Sequence, residues 1–362
     1  MIISRTPFRI SFFGGGTDYP GWYLQNGGQV LSTSIDKYCY ISLRYLPPFF
    51  EHKYRIVYSK IENVVDIDEI MHPAVRETLR YTDFTKGLEI HHDGDLPARS
   101  GMGSSSSFTV GLLKALYALK GRITSKHKIM MESIHIEQDM IGETVGSQDQ
   151  AAASYGGLNH IVFHRNGGID VEPLTVSIAR AQELNDHLML FYTGIMRTAS
   201  EVAKSYVETI EAKERQLRRM HAMVEEGLEI INSRDEITAF GQLLHEAWVA
   251  KRQLSDRVSN PVIENLYERS RKAGAVGGKL TGAGGGGFLL LFVPPGAQRA
   301  VRDELKELLH VPFKFDTNGS QIIFYDPHID DYSDMRADND RNCLRCFREL
   351  TTVDPNHKEI LA

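Results

Sequence analysis

Cysteine is scarce in these 362 residues: there are three, an odd number, which gives no disulfide framework and points to a reducing cytoplasm. Cys343 and Cys346 form a C-x-x-C, but in a charged tail and not at a strand-to-helix junction. With only Cys39 elsewhere, a structural zinc site would need histidines recruited from afar, so inert thiols are expected. An excess of basic charge is also missing, since 41 Lys+Arg stand against 47 Asp+Glu for a net −6. That argues against nucleic acid as the main partner, because neutralising a phosphate backbone takes a basic face. No apolar run is long enough to span a bilayer, and Met1-Ile2-Ile3-Ser4-Arg5 lacks the plan of a signal peptide, so no membrane partner is expected. Repeats and low-complexity tracts are absent. What remains is ordinary globular composition, 42% hydrophobic, with length for two packed domains or one large one.

Glycine, by contrast, is concentrated. Pro97-Ala98-Arg99-Ser100-Gly101-Met102-Gly103-Ser104-Ser105-Ser106-Ser107 runs directly into an apolar stretch at 108–119. Glycines let a backbone approach a ligand, serines cap a helix, and amides at a helix start lack intrahelical partners at the positive end of the macrodipole. A linker would not run straight into such a helix, so the segment reads as a phosphate cradle. Gly282-Ala283-Gly284-Gly285-Gly286-Gly287 formally satisfies G-x-G-x-x-G, but the residues after it read as a strand where the dinucleotide fingerprint requires a helix. A Walker loop fails as well, because Ala273 and Leu280 stand where glycine and Ser/Thr are required. Four consecutive glycines exceed what a hairpin needs and imply close backbone approach, to a ligand or to another loop.

Strands are predicted at 2–13, 35–46, 55–58, 88–92, 160–164 and 188–192, and helices at 105–119 and 126–141. Gly121 lies just past the first of these helices. Two long charged helices follow at 198–232 and 237–273, with Gly274 as the C-cap of the second. The remainder reads as strands at 276–280 and 288–293, a helix at 297–308, and strands around Phe313 and Ile322, a β-β-α-β end typical of an α+β layer. The expected division is 1–188, 189–327 and a charged tail at 328–362. Arg9 lies in an otherwise apolar strand, where a charge is costly unless paired or facing a ligand. Asp149, between Gln148 and Gln150, reads as an N-cap or a site residue, and Glu137 stands on the helix before it.

In this order the segments resemble the GHMP small-molecule kinases. That family has an N-terminal Pro-x-Arg-x-x-x-x-Gly with a nearby Thr-Asp, a Pro-x-x-x-Gly-Leu-Gly-Ser-Ser, and a C-terminal glycine-rich loop. Here these are Pro7-Phe8-Arg9 through Gly14-Gly15-Gly16-Thr17-Asp18, Pro97 through Ser105, and Lys279 through Gly287. Met102 replaces the usual leucine, a volume-conserving change, and Gly14-Gly15-Gly16 stands where galactokinases carry Gly-Glu-His. The resemblance implies an α+β, two-domain GHMP kinase fold, N-terminal ribosomal protein S5 domain 2-like and C-terminal ferredoxin-like.

It also implies ATP and Mg2+, and roles for individual residues. Gly101, Met102, Gly103, Ser104, Ser105 and Ser106 would form the ATP-phosphate loop. Ser105 and Glu137 would hold the metal. Asp149 would be the base, or the charge that orients the attacking hydroxyl, with Arg9 beside it. Asp18, Gly15, Gly16, Thr17, Gly284 and Gly285 would contact the substrate. The first motif, Val145-Gly146-Ser147-Gln148-Asp149-Gln150 and Tyr192-Thr193-Gly194 look like the branch acting on the anomeric hydroxyl of D-glycero-D-manno-heptose 7-phosphate. The implied partners are a sugar phosphate and ATP, with monomer and homodimer both open. A substrate phosphate needs a second anion site, for which Arg197 is the first candidate, ahead of Lys279 and Arg44. A fucokinase- or galactokinase-like activity, a sugar or ATP sensor without catalysis, and an ATP-dependent decarboxylase are the competing readings.

Overall fold

A computed structural model describes residues 1–47, 49–195, 199–207, 210–233, 235–326, 328 and 331–332. The first half is built on one long hairpin. Strand β1 (Ile2–Phe13) runs antiparallel to β2 (Gly28–Tyr45), across helix α1 (Pro20–Asn26). β2 begins at Gly28, well before the strand expected at 35–46, because its first half pairs with β6 (Leu158–Phe163). Its second half pairs with β5 (Leu88–Gly94), which is parallel to β3 (Tyr54–Val57) in the hairpin with β4 (Ile61–Val64). β7 (Ile169–Pro173) extends the sheet beyond β6.

Helices α2 (Pro73–Tyr81), α3 (Ser104–Leu119), α4 (Lys126–His135) and α5 (Gln148–Tyr155) join this sheet, α3 directly on β1 and β2. Gly111 lets α3 sit close: a Cβ there would lie 2.8 Å from Thr6 Oγ1, and Ser4 Oγ donates to Gly111 O at 2.9 Å. The helix expected over 126–141 changes character at its end, where 136–140 form a π-helical turn that carries Glu137. Such wide turns are frequent at functional sites.

After α6 (Ile178–Asp186), strand β8 (Leu188–Tyr192) opens a second, four-stranded antiparallel sheet in the order β11-β8-β10-β9, with β9 (Gly277–Leu280), β10 (Phe288–Phe292) and β11 (Leu309–His310). The charged region expected as two long helices is broken into α7 (Ala199–Val207), α8 (Glu214–Asn232), α9 (Thr238–Arg252) and α10 (Pro261–Lys272). Asn260 explains one break: its side chain caps the amides of Val262 and Ile263, and Pro261 supplies the first helical residue. α11 (Gln298–Glu304) is shorter than the predicted helix at 297–308.

The last two strands correct the expected β-β-α-β end. β12 (Phe315–Asp316) pairs with β2 and β13 (Gln321–Tyr325) with β1, so the chain returns to the first sheet and residues 315–325 do not belong to the second layer. Phe313 is buried but lies outside a strand. One apolar core runs through both layers, stitched by the edge-on contacts of Phe12 and Phe13 on β1 with Phe240 on α9, at 5.3 and 5.0 Å. Cys39 is buried, whereas Cys343, Cys346 and most of the 328–362 tail lie outside the described residues. Among the described residues no helix is long and apolar enough to cross a membrane.

Candidate active site

Between the two layers lies a cleft with Arg9, Gly15, Gly16, Asp18, Gly101, Gly103, Ser104, Ser105, Ser106 and Asp149 in its walls. Arg9 comes from the middle of β1 and is 4% exposed. The charge is admissible there because it is fully matched: Nε donates to Asp149 Oδ1 at 2.7 Å, Nη2 to Oδ2 at 2.9 Å, and Nη1 to Gly101 O at 2.8 Å. Such a two-pronged guanidinium–carboxylate pair fixes orientation as well as charge. Asp149 stands in the first turn of α5 with its side chain 23% exposed, so the carboxylate is held from behind and open in front.

The glycine- and serine-rich segment that begins at Pro97 leaves its loop at Gly103, which adopts a left-handed conformation as the N-cap of α3. A Cβ on it would stand 3.3 Å from Arg9 Cγ and 3.4 Å from Asp149 Oδ2. The start of a 16-residue helix, with its unpaired amides, therefore opens beside the Arg9–Asp149 pair. Met102 is wholly buried and takes no part in the cleft wall; its carbonyl accepts from Arg9 N at 3.1 Å.

Glu137 is 0% exposed. Its Oε2 accepts from Ser106 Oγ at 2.8 Å and Gln150 Nε2 at 2.6 Å, the nearby Thr109 hydroxyl also favours its charged form, and Oε1 is buried with no hydrogen bond of good geometry. Burial pushes its carboxyl up to about 7, against the hydrogen bonds that favour the charged form. One oxygen anchored and one unpaired suits a hard divalent cation, which takes oxygen ligands. Ser106, not Ser105, is the serine in contact with Glu137; Ser105 lines the cleft.

Asp18 is 1% exposed, accepting from Gly16 N at 2.9 Å and Gln148 N at 3.4 Å. Burial raises its pKa, and the negative charge of Asp149 adds to the rise. Gly146 makes room for it, since a Cβ there would lie 1.9 Å from Asp18 Oδ2. Thr17 does not reach the cleft: it is fully buried, and its hydroxyl is taken up by Gly14 O and Gln29 O. Gly284 and Gly285 also turn away, Gly285 N donating to Val258 O at 2.7 Å, while Gly282 and Ala283 line the cleft. Arg44 pairs with Glu89 outside the cleft, and Arg197 lies outside the described residues.

Sequence reasoning overlooked Ser11, Gln148, Arg99 and Glu143, all in the cleft wall, and ranked Lys279 low. Ser11 was legible by alternation with Arg9 along β1. Arg99 carries a signal visible only in the backbone, a φ of 59° in a region non-glycine residues seldom adopt.

Two family models match the chain, GHMP kinases N terminal domain at residues 69–157 and GHMP kinases C terminal at residues 233–311. The D-glycero-alpha-D-manno-heptose 7-phosphate kinase of Campylobacter jejuni is 29% identical over 310 residues, 81% of this chain and 90% of that protein. The bifunctional fucokinase/GDP-fucose pyrophosphorylase of Arabidopsis thaliana is 26% identical over 334 residues, 86% of this chain and 31% of that longer protein. Among solved structures, a D-glycero-D-manno-heptose 1-phosphate kinase from Bacteriodes thetaiotaomicron superposes with a TM-score of 0.74 at 21% identity, covering 90% of this chain and 100% of that one.

Proposed function

We propose that this chain, a sugar kinase carrying both GHMP kinase domains, transfers the γ-phosphoryl group of ATP to the anomeric C1 hydroxyl of D-glycero-D-manno-heptose 7-phosphate. The product would be the 1,7-bisphosphate, made in the cytoplasm for nucleotide-activated heptose. The observation that carries the phosphotransfer reading is the Arg9–Asp149 pair beside the start of α3, a carboxylate held by a guanidinium next to a helix end of the kind that suits anions. The sugar itself rests on the likeness to the Campylobacter jejuni protein.

Phosphoryl transfer needs positioning and charge neutralisation more than covalent help. The α3 amides with Gly101, Gly103, Ser104, Ser105 and Ser106 would bind the triphosphate. Arg9 would hold Asp149 in place and neutralise charge on the moving group. Asp149 would orient the acceptor hydroxyl and take its proton, a task eased by the acidity of an anomeric hydroxyl. GHMP kinases use ATP with Mg2+. Glu137, with Ser105 or Ser106, would hold that ion, which supplies charge neutralisation between the phosphates. Arg197 stays the candidate for the 7-phosphate, so Arg197→Ala should impair the phosphorylated heptose far more than the free one; equal losses would place that phosphate elsewhere.

The test is ADP release across phosphorylated and free sugars, with the new phosphate located by phosphorus NMR. Turnover of heptose 7-phosphate with a C1 phosphate in the product is expected. Turnover confined to L-fucose or D-galactose would replace the heptose assignment with a fucokinase- or galactokinase-like one. No ADP release with any sugar would favour a sensor.

A further inference from the structure

Three polar groups in the cleft wall have hydrogen-bonding capacity that the protein leaves unused. Ser11 Oγ and Gln148 Oε1 are buried with no partner, and Ser11 as a residue is only 7% exposed. Lys279 as a residue is 4% exposed, and its amine donates to Phe12 O at 2.8 Å, which leaves it at least one further N–H to donate. The three come from β1, α5 and β9, and all face the cleft that holds Arg9 and Asp149. Gly15 stands between two of them: a Cβ there would be 3.6 Å from Gln148 Nε2 and 3.6 Å from Ser11 Oγ. The missing side chain keeps that gap open.

Buried polar groups without partners are rare and costly, and each calls for something to satisfy it. The chemistry of this set is specific. Gln148 Oε1 accepts, Lys279 donates, and the Ser11 hydroxyl does either. A sugar hydroxyl, which donates once and accepts twice, satisfies such a set; a phosphate would meet the Gln148 oxygen and the Asp18 carboxylate with the wrong sign. We propose that Ser11, Gln148 and Lys279 form a hydroxyl-reading subsite that sets which ring hydroxyl must stand beside the attacked oxygen. They are specificity-determining residues, and the assignment rests on Asp149 being the group next to the attacked hydroxyl. Arg9 and Asp18 are the charged neighbours of Lys279, and burial together with Arg9 holds the amine down to about 7, so the site does not fix it as a permanent cation.

The experiment takes whichever of heptose 7-phosphate, L-fucose and D-galactose the full-length wild type turns over best, together with its monodeoxy analogues. Ser11→Ala, Gln148→Met and Lys279→Met should each lower kcat/KM on the parent sugar by about 10- to 100-fold, the worth of one buried hydrogen bond, with KM for ATP unchanged. One deoxy analogue should cost the wild type a similar factor and cost the matching variant almost nothing more. Parent activity kept within twofold would overturn the subsite. So would equal losses on the parent and every analogue, which mark a purely structural role. ATP-analogue binding by calorimetry reports the fold of each variant; if Lys279→Met does not bind the analogue, the outcome is decided by Ser11→Ala, the smallest deletion. Failure of heptose 7-phosphate alone removes only the substrate assignment, since the analogue series then runs on another sugar. Undiminished activity of Asp149→Asn removes the acceptor site by itself.

Discussion

Two glycine-rich loops meet at the cleft and use glycine for opposite ends. Gly101 and Gly103 in the 97–103 loop take φ values of 83° and 77°, and the nearest atoms to a Cβ on Gly103 would belong to the Arg9 and Asp149 side chains. Glycine there shapes the wall of the cleft. In the 281–287 loop, a Cβ on Gly284, Gly286 or Gly287 would strike the backbone carbonyls of Val258, Ile195 and Ser100, at 2.6, 2.5 and 2.1 Å. Glycine there lets three chain segments touch, and the last contact clips the second layer to the 97–103 loop itself. Within the second layer Gly287 is itself held at the end of the β8–β10 pairing, its carbonyl accepting from the N–H and hydroxyl of Thr193 at 2.9 and 2.8 Å. Glycine content alone therefore does not mark a ligand site; what the absent side chain would have faced does.

The comparison breaks or holds first on chemistry. Asp149→Asn should slow turnover by about two to four orders of magnitude with little change in ATP binding, the range for a positioned acid or base. Full activity in that variant would take the chemistry away from the phosphate-loop side. Second, Gly287→Ala should destabilise the protein by roughly 3–5 kcal/mol, through its positive φ and the carbonyl in its path. Gly103→Ala should cost only about 1–2 kcal/mol while lowering kcat by displacing Asp149. Urea unfolding of both, with equal losses of stability, would erase the distinction between the loops.

Third, Glu137→Gln should raise the Mg2+ concentration for half-maximal rate by about tenfold or more. An unchanged magnesium titration would remove Glu137 from the metal site. The smallest effect concerns Lys279. Burial lowers its pKa from 10.5 to about 7, so between those values the unfolded chain holds a proton that the folded protein releases, and stability rises with pH across that window. The cost of the buried charge is complete below pH 7. Lys279→Met should therefore melt above the wild type by a few degrees near pH 6, with the gain fading by pH 9. A Tm difference independent of pH would show that the amine does not titrate there.

Periodicity and turn chemistry carried much of the architecture. The strand at 2–13, the serine-led helix ending before Gly121, the α+β class and the likeness to the GHMP kinases were all readable in one chain. The long charged helices were not, because their breaks depend on a cap at Asn260 and on packing that leaves the amphipathic pattern uninterrupted. The short strands β12 and β13 carry too few residues for periodicity to say which sheet they join, and only pairing with β2 and β1 decides it.

The same division runs through the cleft. Residue types and motif order bring Arg9, Gly101–Ser106, Glu137 and Asp149 into consideration, since a charge in an apolar strand and serines before a helix are local signals. That Arg9 grips Asp149 across 140 residues of chain is a matter of tertiary structure. So is the choice of Ser106 over Ser105 beside Glu137, the withdrawal of Thr17 and Gly284 from the cleft, and the unsatisfied oxygens of Ser11 and Gln148. A strand or a cap depends on neighbours a few residues away. A hydrogen bond left unmade, or a carbonyl in the way of a Cβ, depends on segments far apart in the chain, and becomes definite only once they are packed.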